Sequence, residues 1–110
     1  MNAKERFDEI ADDLVAQNAD VTLAQMMGMP ALKRGGKLWV GFWKGEMVFK
    51  LVDAAERERA LALDGAHLFD PGERDRPMKE WVVVPEPHTK EWPNLAELAL
   101  RYRGDNTSDE

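Results

Sequence analysis

The chain has 110 residues, enough for one hydrophobic core and too few for two. Its composition, 44% hydrophobic and 33% charged, is that of a globular protein, and no apolar run approaches the roughly 20 residues that cross a bilayer. A net charge of −6 opposes an extended phosphate-backbone footprint, and the absence of cysteine removes any disulfide framework.

The N-terminal stretch MNAKERFDEI carries charge where a secretory signal needs an apolar segment, so the expected location is cytoplasmic. It reads instead as a helix. Asn2 is placed to cap it, with Glu5 at capping-box spacing, and Phe7, Ile10, Ala11 and Leu14 share one face. The opposite face, with Glu5, Asp8, Glu9, Asp12 and Asp13, is a solvated one.

Residues 23–33, LAQMMGMPALK, are apolar but interrupted by Gly28 and Pro30, which predicts a single bulged or edge strand. Gly35-Gly36 then turns the chain into residues 37–52, KLWVGFWKGEMVFKLV, a hairpin about Lys44-Gly45. With that turn, Phe42 faces Met47, Val40 faces Phe49 and Leu38 faces Leu51, giving one dry side. The other side pairs Trp43 with Glu46, Gly41 with Val48, Trp39 with Lys50 and Lys37 with Val52, as expected of a surface that meets solvent or a partner.

Asp53, followed three residues later by Glu56, starts a second helix through AAERERALAL toward Gly65. Phe69 is a core anchor, and Asp70 to Arg76 has the Pro, Gly and charge content of an exposed loop. Trp81-Val82-Val83-Val84, stopped by Pro85 and Pro87, predicts an interior strand. The last helix starts at Trp92 or Pro93 and stops near Gly104, with Leu95, Leu98, Ala99 and Tyr102 in register. Residues 1–104 form one domain, and 105–110 a disordered tail.

Catalytic candidates are few. The only serine is Ser108 in the tail, which with the missing cysteine leaves nucleophilic Ser or Cys chemistry without a home. His67 and His88 lack metal-ligand spacing, so no metal, cofactor or catalytic residue is expected. The surface to watch is aromatic: Trp39 and Trp43 with Lys37 and Lys50, joined by Trp81 or Val83 from a neighbouring strand. Such a face suits a protein partner or self-association, or stacked bases if Lys33 and Arg34 contribute.

Several stretches resemble the N-terminal domain of the TfoX/Sxy competence regulators. Met26-Met27-Gly28 is similar to that family's Met-Phe-Gly, Gly36-Lys37-Leu38-Trp39 to its Gly-Lys-Met-Phe, and Val48-Phe49-Lys50-Leu51 to its third strand. The run from Arg76 to Pro85 and the closing helix also match, so the likeness spans about residues 3 to 104. It implies an α+β fold of the secretion-chaperone kind, helices on an antiparallel sheet of about five strands in the order α-β-β-β-α-β-β-α. It further implies a non-enzymatic regulatory or protein-interaction role associated with competence genes, with no catalytic residues to carry over. YjbR/MmcQ-like proteins are the nearest rival family. The alternative function is a nucleic-acid-binding adaptor using Trp39 and Trp43 with nearby Lys and Arg.

Overall fold

The computed structural model describes residues 2–72 and 77–105. Asn2 opens helix α1 (Ala3–Gln17) through a complete capping box, its side chain accepting from the Glu5 amide at 2.8 Å while Glu5 accepts from the Asn2 amide at 3.0 Å. Strands β1 (Val21–Met26), β2 (Met29–Arg34), β3 (Lys37–Trp43) and β4 (Glu46–Lys50) follow as a meander. Helix α2 (Ala54–Leu61) is capped by Asp53 onto the Glu56 amide. Strands β5 (His67–Phe69) and β6 (Met78–Val84), a short 3-10 turn at Glu86–His88 and helix α3 (Trp92–Asp105) complete the fold. No helix among the described residues is long and apolar enough to cross a membrane.

The α+β class expected from sequence is what forms, with one strand more than expected. Residues 23–33 are not a single bulged strand but parts of two, β1 and β2, turned about Met27-Gly28. Pro30 is tolerated because β2 meets β3 only from Ala31 onward, so its missing N–H leaves no ladder bond unmade. The sheet is antiparallel throughout and ordered β1-β2-β3-β4-β6-β5.

Each of the first three hairpins closes through two residues with positive φ: Met27 (52°) and Gly28 (80°), Gly35 (57°) and Gly36 (83°), Lys44 (50°) and Gly45 (84°). That is the type I′ signature, whose twist matches the strands it joins. The turns set Met26 opposite Met29, Arg34 opposite Lys37 and Trp43 opposite Glu46.

The predicted pairs Phe42 with Met47 and Val40 with Phe49 are observed. The pairing of Leu38 with Leu51 is not. Between β2 and β3 the register shifts, Leu32 opposing Val40 and Lys33 opposing Leu38, so Trp39 is the extra residue of a β-bulge. Trp39 and Val40 therefore both enter the core beneath the helices, whereas Leu38 packs on the opposite face.

The inner core joins Phe7, Ile10 and Leu14 of α1, Ala60 of α2 and Trp92, Leu95 and Ala99 of α3 to Leu32, Trp39, Val40, Phe49 and Val82. Burial of each large side chain here contributes about 1.5–3 kcal/mol. The outer face is also dry at its centre: Met26, Met29, Ala31, Val48, Phe69, Trp81 and Val83, strand residues alone, form a second cluster. Gly41 makes room for it, since a Cβ there would stand 2.7 Å from the Met29 terminal methyl. The expected mixed outer face is thus apolar in the middle and polar only at its rim.

Helix α2 ends at Leu61, short of the expected approach to Gly65, and α3 runs through Gly104 to Asp105. The remainder of the expected tail, 106–110, and residues 73–76 of the expected loop lie outside the described residues. Arg34 ties the edge of the sheet to α3, its Nε donating to Asp20 at 2.8 Å and a terminal nitrogen to the Leu100 carbonyl at 3.1 Å.

Met27 occupies a left-handed position while 55% exposed, so it bears conformational strain without compensating packing. Met27→Asn is expected to raise stability by about 0.5–1 kcal/mol and Gly28→Ala to lower it by about 1 kcal/mol, read from urea midpoints at constant m. The hydrogen bond from Arg34 holds the Asp20 carboxyl below its ordinary value. A lowered carboxylate stabilises the fold fully above that ordinary value and ceases to as pH falls through the lowered one. The small advantage of wild type over Asp20→Asn is therefore expected to fade on acidification below about pH 4 in pH-dependent urea melts.

Candidate interaction surface

The five residues singled out from sequence do not form one patch. Trp39 is fully buried on the helix side, carried there by the bulge, and takes no part in the outer face. Its expected pairing with Lys50 is absent, since the β3–β4 ladder runs only from Val40 and Phe49 to Trp43 and Glu46, and on its other side Lys50 pairs with Trp81 of β6. Lys37 stands exposed at the first residue of β3. Trp43, Lys50 and Trp81 do share the outer face, at opposite ends of it, with Val48 and Val83 between.

At one end Lys50 is settled within the fold. Its ammonium lies 5.8 Å from the centroid of the Trp81 ring and 3.5 Å from Glu80, and Trp81 itself is 7% exposed. This cation and this indole satisfy each other and present little to a ligand.

The other end is open. Trp43, next to the Lys44-Gly45 turn, packs edge-on against Phe69 with ring centroids 5.5 Å apart and an interplanar angle of 75°. Lys44 places its ammonium 5.3 Å from the Trp43 centroid. Together with Glu46, His67, Asp70 and Val83 these residues line a cleft of about 530 Å³. Its floor is aromatic and its rim carries both signs of charge.

Phe69, His67 and Asp70 reach this cleft because β5 pairs with β6, setting His67 opposite Val83 and Leu68 opposite Val82. Sequence reasoning left them out, since their place depends on a pairing between strands separated by a loop, for which there is no local signal. Both histidines hold backbone carbonyls, His67 Nδ1 that of Gly65 at 3.1 Å and His88 Nε2 that of Asp64 at 2.8 Å, so the bonded nitrogen carries the proton in each.

Two further clefts, of about 520 and 530 Å³, flank α1. One is lined by Asn2, Arg6, Glu86 and Thr89, the other runs between α1 and α3 past Arg6, Asp13, Lys90 and Glu97. Neither has an aromatic floor. No family model, curated protein or solved structure matches the chain.

Among the described residues the Trp39 Nε1 is a buried donor without an acceptor, whereas Trp92 Nε1 donates to the Val84 carbonyl at 3.2 Å. Replacement by Phe removes an unmet polar group at Trp39 but a satisfied hydrogen bond at Trp92. Trp92→Phe is expected to cost about 1–2 kcal/mol more than Trp39→Phe in urea unfolding.

Proposed function

We propose that this chain is a small, non-enzymatic regulatory or protein-interaction domain that engages a protein partner at the Trp43 cleft. The observation that carries the reading is the aromatic floor of Trp43 and Phe69 at the rim of the sheet, ringed by Lys44, Glu46, His67 and Asp70. A side chain inserted there would be stacked on an indole and held by charges of either sign, the chemistry of a protein surface rather than of a single ionic ligand. The resemblance to the TfoX/Sxy N-terminal domain is consistent with regulation in the cytoplasm and belongs to the same proposal.

The alternative of a nucleic-acid-binding adaptor loses support from the placement of its groups. Arg34 is engaged by Asp20 and the Leu100 carbonyl, Lys50 by Glu80 and Trp81, and Trp39 is inaccessible to a base. The two tryptophans it needs side by side lie on opposite faces of the sheet.

A photo-crosslinking residue in place of Lys44, expressed in the native cell, is expected to trap a discrete protein adduct that is lost when Trp43→Ala is added. The same residue in place of Arg101, exposed on α3, is expected to trap none. No adduct from position 44, or one indifferent to Trp43→Ala, would overturn the assignment. Filter binding at low salt is expected to show no salt-dependent retention of single-stranded oligonucleotides.

A further inference from the structure

The two edges of the sheet are built differently. One is β5, only His67-Leu68-Phe69, broken by a register shift against β6. Shortness and irregularity are standard protection against pairing with another chain. The other edge is β1, with neither. Its six residues, Val-Thr-Leu-Ala-Gln-Met, carry no charge in a chain that is 33% charged, and its ladder with β2 is regular from end to end. A regular, uncharged, β-prone edge is the feature that natural proteins suppress unless something covers it.

The free side of β1 follows from the Met27-Gly28 turn. In a two-residue hairpin the flanking pair, Met26 and Met29, exchange backbone hydrogen bonds, so Met26, Ala24 and Thr22 point theirs at β2. Leu23 and Gln25 therefore direct both N–H and C=O away from the sheet, as does the Val21 carbonyl, while the Val21 amide bonds the Asn18 carbonyl at 3.0 Å. Leu23 is also the most exposed large apolar side chain described, at 68%, although its cross-strand neighbour Leu32 is fully buried. The helices roof Leu32 and stop short of Leu23.

We propose that β1 is a dimerisation edge, paired antiparallel with β1 of a second copy of this chain about a two-fold axis at Leu23. The strand is self-complementary in that register. Leu23 meets Leu23 of the other copy, Val21 meets Gln25, and Thr22 meets Ala24, so outward-pointing residues face outward-pointing residues and no charge meets a like charge. The pairing forms about four backbone hydrogen bonds and joins the two sheets into one. Leu23 from each copy covers the other on the face that carries the helices. Asp20, the acidic residue nearest the seam, already has its charge matched by Arg34. The seam is narrow, below the size of a permanent interface, so the dimer is concentration-dependent. Two chains of charge −6 repel, so it tightens as salt is added, opposite to nucleic-acid binding.

Sedimentation equilibrium of the full chain from micromolar to submillimolar concentration is expected to show a monomer–dimer equilibrium strengthened by salt. Leu23→Lys, which sets two ammonium groups face to face, is expected to weaken it about tenfold or more while leaving the circular dichroism melt unchanged. Leu23→Cys gives the otherwise cysteine-free chain a single site for a nitroxide. That label is expected to show strong dipolar broadening as concentration rises, and one at Glu58→Cys on α2 to show none. A strict monomer at every concentration, undiminished association of Leu23→Lys, or a label at position 23 without broadening would each overturn the proposal. Trp43→Ala is expected to leave sedimentation unchanged, so the fate of this edge is independent of the fate of the Trp43 cleft.

Discussion

The register of the first four strands rests on three pairs of left-handed residues, Met27-Gly28, Gly35-Gly36 and Lys44-Gly45. A two-residue loop leaves no slack, so each pair dictates which residue opposes which, and a slip of one position would turn every side chain to the other face. In two of the pairs a residue with a side chain accepts the left-handed conformation, a local cost that the matching twist of the flanking strands offsets. From these turns follow the opposition of Trp43 to Glu46, the position of Trp43 at the sheet's rim, and the direction in which β1 presents its backbone.

Against that rigid frame the bulge at Trp39 is the one departure, and it redistributes the aromatic residues. With one extra residue in β3, Trp39 and Val40 both fall beneath the helices, and Leu38 changes sides. The inner core gains a tryptophan at the expense of an indole N–H that meets no acceptor among the described residues. The outer face keeps Trp43 and Trp81, far enough apart that each finds its own neighbours: Phe69 and Lys44 for the first, Lys50 and Glu80 for the second. Only the former pair borders open space, and that asymmetry selects the cleft.

What the sequence discloses is what short-range rules control. The capping box at Asn2 and Glu5, the cap at Asp53 and the Lys44-Gly45 hairpin, with Val40 against Phe49 and Phe42 against Met47, are all legible because each depends on residues within a few positions. The Met27-Gly28 turn escapes that reading because Met is a poor left-handed residue and Pro30 suggests interruption rather than a second strand. The bulge escapes because Leu38, Trp39, Val40, Phe42 and Trp43 are apolar on both parities, so the pattern gives no hint of the inserted position. Of the candidate surface, Trp43 is legible and its partners Phe69, His67 and Asp70 are not, since the pairing of β5 with β6 is set by packing across the whole sheet.

The strand order bears on how the chain reaches this structure. From β1 to β4 every strand neighbours its predecessor, so each closure costs the entropy of a very short loop and the meander assembles from nearby contacts. The long closure is between β4 and β6, across residues 51–77, and it must be made before Trp81, Val82 and Val83 can complete either apolar layer. The one long closure between sheet neighbours, from the meander to β6, thus falls on a single segment, and both apolar layers are complete only with the fifth strand in space in place.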